Sequence, residues 1–283
     1  MPIDPKQALG HEFPESRASW EPDDVILYHL GIGAGVPPTD ARELEYTYEK
    51  NLKVLPSFGV IPVFSSLAGI AQTPGVKFNP MLLLHGEQDI ELFRPIPVTA
   101  TVRSRGKVTG LYDKGKAALA VLEVASADEQ GPLFTNRFSL FLRGEGGFGG
   151  DSGPKAGNEP PQRDPDLVVE SPTLPQQALL YRLSGDKNPL HADPEFAKMG
   201  GFDRPILHGL CSFGIACKAA VDHALGGDVT RVARYQARFA GIFFPGETLV
   251  TSLWQEGDKV YVGAKSKERG APVISNAALT VRS

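Results

Sequence analysis

An aspartate and a histidine lie five residues apart in this chain, with a proline between them. The two are Asp186 and His191, in the stretch Gly-Asp-Lys-Asn-Pro-Leu-His. Pro189 has no N–H and disfavours the α conformation at Asn188, so we predict a kinked loop. Gly185, just before the aspartate, permits a positive φ. A carboxylate and an imidazole on a stiff loop can act on one water, since one accepts its proton while the other hydrogen-bonds it or returns a proton.

A long apolar run follows this loop and predicts a buried helix. Residues 206–225 carry few polar side chains, with Pro205 before them and two glycines after them. A helix that is apolar on most sides is buried, and proline and glycine mark its start and end. Gly209 then lies in the first turn, where backbone N–H groups have no helical acceptor. We therefore predict that the Gly209 N–H can hold a developing oxyanion.

Each of these residues also has a purely structural interpretation. Alone, Asp186 would more often be a turn residue and His191 a structural histidine; their occurrence together in one motif favours catalysis. His208 could support the pair or simply begin the helix, and we favour the second. A metal site built from these three residues lacks a recognised ligand spacing, so we expect no metal and no cofactor.

Composition limits the classes of function that remain. The 283 residues suffice for two domains, and 41% of them are hydrophobic. A net charge of −4 argues against nucleic acid as a partner, because such binding needs a basic surface. Cys211 and Cys217 lie within the predicted helix, six residues apart, and are expected to be small unpaired core residues of a reducing compartment.

No stretch predicts a membrane span or a secretory signal. The apolar runs are interrupted by Gly, Lys or Asp. The last four residues, Thr-Val-Arg-Ser, differ from the Ser-Lys-Leu peroxisomal address. We therefore expect no membrane association and a cytoplasmic location, with a peroxisomal one as the alternative.

The chain divides into two halves that follow one plan. We predict a first unit over 1–143, a linker rich in glycine and proline over 144–166, and a second unit over 167–283. Residues 1–22 read as irregular and 61–71 as a buried helix. Short matches such as Phe93-Arg-Pro95 and Phe243-Phe-Pro245 indicate a duplication, and the first copy lacks the Asp and His motif. Strands are predicted near 81–92, 98–105, 117–125, 133–142, 232–244, 249–255, 259–266 and 273–281.

The stretch from Tyr181 to His191 resembles the signature of the MaoC-like (R)-specific enoyl-CoA hydratases, the hydratase 2 family. Further similarity covers nearly the whole chain and both halves, as in the hydratase part of the multifunctional β-oxidation enzyme. The matching segments are His85–Pro95, Asp113–Gly115, Phe138–Gly150, Arg238–Ala240 and Phe244–Thr248.

The resemblance implies an α+β double hot-dog fold, with two antiparallel sheets that each wrap around a long buried helix. It implies a homodimer that adds water to trans-2-enoyl-CoA and gives (3R)-3-hydroxyacyl-CoA. From the duplication itself, whose first copy lacks the motif, we expect the first unit to make room for the acyl chain. The family's catalytic residues fall on Asp186, His191 and Gly209. Its substrate contacts fall on His85, Gly86, Lys114, Asn188, Gly209 and Phe239.

Other functions share parts of this pattern. A dehydratase acting on an acyl carrier protein would have the same motif, whereas a hot-dog thioesterase would lack it. A non-catalytic acyl-CoA-binding module is disfavoured because Asp186 and His191 are both present. Among the binding residues, Lys114 could instead be a solvated loop lysine and Phe239 a core residue, and His85 and Gly86 could merely begin a strand.

Overall fold

Strands form where burial alternates along the sequence. The computed structural model describes residues 3–282, so Ser283 of the C-terminal sequence considered above lies outside them. In the segment 100–113, residues 102, 104, 106 and 108 are buried and those between them are exposed, as expected for a sheet with one face on the core. The strands are β1 (Ser16–Trp20), β2 (Leu83–Leu92), β3 (Ala100–Asp113), β4 (Ala117–Asp128), β5 (Gly131–Arg143), β6 (Leu167–Pro172), β7 (Val232–Phe239), β8 (Thr248–Glu256), β9 (Lys259–Ser266) and β10 (Pro272–Val281).

The helices are short except for one in the second half. In the described part of the chain, none of them is long and apolar enough to cross a membrane. The α-helices are α1 (Pro5–Ala8), α2 (Pro22–Gly31), α3 (Ala41–Thr47), α4 (Gln177–Tyr181), α5 (Pro194–Met199) and α6 (Gly209–Ala224). The 3-10 helices are Pro56–Val60, Phe64–Gln72, Pro80–Leu82, Arg182–Ser184, Pro189–His191 and Val229–Arg231.

The strands form one ten-stranded sheet in the order β1-β3-β4-β5-β2-β7-β10-β9-β8-β6. Every pair of neighbouring strands is antiparallel. The order of the first five strands is repeated in reverse by the last five, so the α+β double hot-dog arrangement of two similar halves is confirmed. The two expected sheets are joined edge to edge through β2 and β7.

Ion pairs reinforce this central junction. The guanidinium of Arg234 donates to both carboxylate oxygens of Asp89, at 2.8 and 2.6 Å. Arg238 donates to Glu87 at 2.8 Å. Each pair joins β7 to β2, and the side chains are only partly exposed, so their contribution is larger than that of a fully solvated pair. The Glu87 carboxylate is thus paired with an arginine.

The second half wraps around α6 as expected. Residues 210–217 and 219–221 of α6 are buried. Burial of each large apolar side chain stabilises the fold by roughly 1.5–3 kcal/mol. Cys211 and Cys217 are both buried in it and unpaired, which confirms their assignment as core residues.

The described part of the first half, residues 3–143, contains no such helix. Residues 61–71, where we expected a buried helix, form the turn 61–63 and most of the 3-10 segment Phe64–Gln72. Pro62 lies in that turn and has no N–H to donate, so a continuous α-helix cannot pass through it without losing a hydrogen bond. Two further elements, α1 and β1, lie in the stretch that we expected to be irregular.

The segment 144–166 contains neither helix nor strand and is held along the sheet. At its start, the Asp113 carboxylate accepts hydrogen bonds from the N–H groups of Gly147 and Gly149, at 2.9 and 2.8 Å. Further on, Asn276 of β10 donates to the Gly157 carbonyl at 3.0 Å. The segment therefore crosses from the end of β5 to β6 at the far edge of the sheet.

Candidate active site

The loop that carries Asp186 and His191 has the kinked form that its sequence predicts. Gly185 adopts φ +137°, a value that residues other than glycine rarely adopt. Residues Pro189–His191 form one turn of 3-10 helix. Asn188 begins this turn, and its side-chain oxygen accepts from the Leu190 N–H at 3.0 Å. The turn brings the histidine back towards the aspartate.

A backbone carbonyl fixes the tautomer of His191. Nδ1 of His191 lies 2.9 Å from the carbonyl oxygen of Ile206. Because a carbonyl can only accept, Nδ1 carries the proton, and Nε2 of the neutral ring is left with a lone pair. The ring is buried. His191 can thus accept a proton at one defined atom.

Asp186 lies close to this ring without touching it. A carboxylate oxygen of Asp186 and a ring nitrogen of His191 lie within 4.8 Å of each other. Within residues 3–282 the Asp186 carboxylate accepts from the Asn188 N–H, at 3.1 Å, and makes no direct hydrogen bond to the imidazole. A water that bonds to both groups at about 2.8 Å each spans up to roughly 5 Å. The gap therefore suits one water molecule.

The charge state of His191 follows from opposing effects. Burial lowers its pKa from the ordinary value of 6.5, and the negative charge of Asp186 raises it by a smaller amount. Arg182 lowers the pKa further. The net effect keeps the imidazole neutral near pH 7, which a proton acceptor requires.

His208 lies directly behind the pair. It is the N-cap residue of α6, as we favoured from the sequence, but its side chain makes no capping bond. Instead its ring stacks on the ring of His191, with centroids 3.7 Å apart and planes 30° apart. Its Nε2 lies 3.2 Å from the backbone oxygen of Asp186. The sequence did not predict this contact with both members of the pair.

Potential ligand atoms of Asp186, His191 and His208 lie within 4.8 Å of one another, which raises the question of a metal ion. Zinc requires lone pairs that converge on one point in a tetrahedral arrangement. The stacked rings direct their nitrogen lone pairs side by side, and Nδ1 of His191 is already a donor to Ile206. The three side chains fit acid–base chemistry on a water better than a metal.

Gly209 supplies the third predicted part. It is the first residue of α6, so its N–H has no acceptor within the helix, and the residue itself is exposed. A Cβ at this position would lie 3.3 Å from the ring of Phe239. Glycine therefore leaves a narrow approach to the N–H between the helix start and that ring.

The strand β2 brings His85 and Gly86 to the same place. The ring of His85 meets the ring of Phe239 edge-on, with centroids 5.0 Å apart. Gly86 is the extra residue in a β-bulge opposite β5, and a Cβ there would overlap the ring of Phe141. Burial lowers the pKa of His85 to about 4, and its Nε2–H donates to the Glu87 carbonyl at 3.0 Å. The His85 side chain is thus uncharged near pH 7 and packs beside Phe239.

Lys114 is the predicted residue that lies apart. It is exposed in the turn between β3 and β4, and β4 and β5 separate that turn from β2. From β3 to β2 the distance across the sheet is three strand spacings, which corresponds to about 14 Å. Any role of Lys114 therefore concerns a part of a ligand remote from the Asp186 carboxylate.

The sequence did not indicate two further contacts. The Ile206 carbonyl that orients His191 is a backbone group, so no residue type could have indicated it. Arg182 donates to the backbone oxygen of Lys187 at 3.2 Å and so stabilises the conformation of the loop. The sequence feature that could have indicated Arg182 is its position next to Tyr181 in the motif.

Comparisons with known families match both halves of the chain. The family described as the MFE-2 hydratase 2 N-terminal domain matches residues 19–144, and the MaoC-like domain matches residues 156–277. The chain is 45% identical to the enoyl-CoA hydratase ChsH3 of Mycobacterium tuberculosis, over 97% of each protein. It is 46% identical to the peroxisomal enoyl-CoA hydratase 2 of Arabidopsis thaliana, over 94% of this chain and 92% of the relative.

Solved structures give the same result. A MaoC-like dehydratase from Phytophthora capsici is 35% identical and superimposes with a TM-score of 0.89, covering 99% of this chain and 98% of the other. A Mycobacterium tuberculosis protein described as a double hot-dog, 15% identical with a TM-score of 0.59, shares the fold over 98% of this chain and 97% of the other. The chain therefore belongs to the MaoC-like hydratase 2 family.

Proposed function

We propose that this protein is a (3R)-specific enoyl-CoA hydratase that adds water reversibly to trans-2-enoyl-CoA in fatty acid metabolism. One observation carries the proposal. A ring nitrogen of His191 and the Asp186 carboxylate lie within 4.8 Å of each other, the Ile206 bond at Nδ1 leaves Nε2 of His191 free to accept, and the N–H of Gly209 lies at the start of the helix that follows. The names of the relatives support the same reaction.

The chemistry follows from these atoms. The water donates to Asp186 and to Nε2 of His191 while its oxygen attacks C3 of the substrate. The C3–O bond forms as the C2–C3 π electrons move towards the thioester, whose oxygen becomes an oxyanion bound by the Gly209 N–H. Asp186 takes one proton of the water, and its protonated carboxyl then returns that proton to C2, which restores the thioester and the ionised carboxylate. The residues suffice without a metal or a redox cofactor.

The expected contributions are of ordinary size. One preorganised oxyanion donor is typically worth about 3 kcal/mol of the barrier. Acid–base catalysis by positioned groups adds a factor of about a hundred to ten thousand. The positive end of the α6 dipole acts in the same direction as the Gly209 N–H.

The two units would divide the work. We propose that the second unit, 167–283, carries the reaction, and that the first, 1–143, accommodates the acyl chain. The first unit supports this division because its 3-10 segment Phe64–Gln72 buries only Ile70, whereas α6 buries eleven of its sixteen residues. Titration with a non-hydrolysable enoyl-CoA analogue should then give one site per chain; two equivalent sites would contradict the division.

The remaining substrate contacts belong to the same proposal. His85, Gly86, Asn188 and Phe239 would line the thioester end, and Lys114 would meet the phosphates of CoA. We also propose a homodimer and a cytoplasmic location. Light scattering after size exclusion tests the first, and cell fractionation tests the second.

The decisive experiment is an absorbance assay with crotonyl-CoA and trans-2-decenoyl-CoA, followed by chiral analysis of the product. We expect loss of enoyl absorbance and formation of the 3R alcohol, and no turnover by Asp186→Asn. A 3S product, or thioester hydrolysis in place of hydration, would contradict the proposal. A much higher kcat/KM for the matching acyl carrier protein thioester would instead indicate a dehydratase of lipid synthesis.

A further inference from the structure

His208 makes a separate contact with each part of the site. Its Nε2–H donates to the backbone oxygen of Asp186, at 3.2 Å, and its ring lies 3.7 Å from that of His191. Its own backbone begins α6, and its neighbour in the chain is Gly209. The ring is buried, and on its other side lies Tyr181, with ring centroids 4.9 Å apart. The His208 side chain thus connects Asp186, His191 and the start of α6.

We propose that His208 is a positioning residue that keeps Asp186, His191 and the Gly209 N–H in one fixed arrangement. This inference rests on the proposed hydration reaction, to which it adds a residue that does not contact the substrate. A rate that depends on placement within about 1 Å can fall a hundredfold when a support is lost.

The hydrogen bond matters because the catalytic loop has few other attachments. Residues 185 and 187–189 are exposed, and Gly185 offers a flexible entry to the loop. The Asp186 carboxylate bonds to Asn188 within the same loop, so that bond cannot fix the loop against the rest of the protein. The Nε2–H of His208 holds the Asp186 backbone against the start of α6.

The stacking matters because it fixes the plane of the His191 ring. The Ile206 carbonyl holds Nδ1 and leaves the ring free to tilt about that bond. The stacked ring of His208 closes one face of His191, so the ring cannot tilt towards it. Nε2 of His191 then points in one direction, and water is excluded from the covered face.

His208 is neutral in this contact. The titratable and charged groups that face it are His191 on the ring face, Asp186 and Arg182 from the catalytic loop and its flank, and Tyr181 from α4. Burial lowers the pKa of His208 to about 2, and the nearby His191 adds to the effect. The ring is therefore neutral wherever the enzyme is active, and because the Asp186 carbonyl can only accept, the single ring proton lies on Nε2.

Two substitutions separate the bond from the stack. The amide of His208→Gln can reach the Asp186 carbonyl but removes the ring, whereas His208→Phe keeps a ring against His191 but removes the donor. We expect each variant to lower kcat about ten- to a hundredfold and to leave KM within about threefold. A matched control is His29→Gln, since His29 is buried like His208 and hydrogen-bonded through its ring, at both nitrogens, but lies outside the site.

The pH profile gives a readout that mere destabilisation would not change. Loss of the ring in His208→Gln admits water to His191, which relieves its desolvation, so the acid limb of kcat/KM should move to higher pH. In His208→Phe and His29→Gln the limb should stay where it is in the wild type. Near wild-type kcat in both folded His208 variants would overturn the proposal, as would a loss of kcat that follows the melting temperature equally in His29→Gln.

A measurement on the wild-type protein covers the case in which neither variant folds. Nitrogen-15 NMR of histidine-labelled enzyme should show a neutral His208 with its proton on Nε2 between about pH 5 and pH 8. A proton on Nδ1, or a charged ring in that range, would overturn the proposal. These outcomes leave the proposed reaction intact as long as the wild type hydrates enoyl-CoA and Asp186→Asn does not.

Discussion

The two halves of this protein share a sheet and differ in the segment laid across it. In each half five antiparallel strands follow the same order from the edge to the junction at β2 and β7. In the second half, the chain between β6 and β7 carries the Asp186–His191 loop and α6. In the first half, the chain between β1 and β2 carries α2, α3 and three short 3-10 helices. We therefore propose that the chemistry resides in the segment that connects β6 to β7.

The physical reason lies in what a helix start provides. The sixteen residues of α6 align their peptide dipoles and leave the Gly209 N–H without an acceptor, at the end that favours negative charge. The five residues of Pro56–Val60 give a much shorter dipole, and that segment is buried. A first half without this feature cannot reproduce the site even though its sheet is the same.

Removal of the acid–base pair should make the second half as inert as the first. In Asp186→Asn the amide keeps the size of the carboxyl but cannot take a proton from water, so kcat should fall about a thousandfold or more. The carboxylate is half-buried on a loop, so the melting temperature should stay near that of the wild type. Steady-state assay with crotonyl-CoA measures the loss.

The double variant tests whether the two groups act together. Asp186 and His191 are placed to bind the same water, so Asp186→Asn with His191→Ala should be no worse than the worse single variant. Losses that multiply would mean that the groups serve separate steps. An Asp186→Asn enzyme with wild-type turnover would remove the assignment altogether.

The role of the Gly209 N–H at the start of α6 can be tested by a substitution that removes its amide hydrogen. Proline is well tolerated at the first helical position and has no N–H, and His208 already has the extended conformation that precedes proline, with ψ 133°. Gly209→Pro should therefore keep α6 and lower kcat about a hundred- to a thousandfold. Gly209→Ala is the matched control, because it meets the Phe239 ring in the same way and retains the N–H. Equal losses in the two variants would point to crowding in place of oxyanion binding.

The histidine of the pair should set the acid limit of activity. A protonated His191 cannot bind the water through Nε2, so kcat/KM should fall about tenfold per pH unit once the pH drops below its pKa. Burial places that pKa below 6.5, with Asp186 offsetting part of the shift. A pH profile of kcat/KM locates the limb. An acid limb of kcat/KM above pH 6.5 would mean that the His191 ring is more hydrated than its packing indicates.

Much of the second half could be predicted from the sequence, because its signals are local. The proline in the catalytic loop, the apolar run of α6 and the alternation in the strands each follow from a few neighbouring residues. The loop, α6 and the strand segments lie close to where we expected them. The joining of β2 to β7 depends on contacts across the chain, and no local pattern encodes it.

The first half was harder for physical reasons. Residues 61–71 are as apolar as a buried helix, but the missing N–H of Pro62 breaks the helix, and composition alone does not weigh that effect. The edge strand β1 has only five residues and lies in a polar stretch. The stack of His208 on His191 was missed because it joins two residues seventeen positions apart through their ring faces.

The smallest effect is expected from the first half, at Lys114. The protein is net acidic while CoA carries several negative phosphates, so attraction must be local. Lys114 is exposed in the turn after β3, so its contact with a phosphate would be solvated and worth up to about 1 kcal/mol. Lys114→Ala should therefore raise KM about two- to fivefold and leave kcat unchanged, because it removes binding that ground state and transition state share.

Lys116 provides the matched control for this prediction, since it is exposed in the same turn and carries the same charge. An effect specific to Lys114 indicates a placed contact, whereas equal effects indicate a general field. The change should shrink at high ionic strength, where exposed charges are screened, and vanish for a pantetheine thioester that lacks the nucleotide. If Lys114→Ala lowers kcat and leaves KM alone, the first half takes part in the reaction, and the division of work between the halves fails.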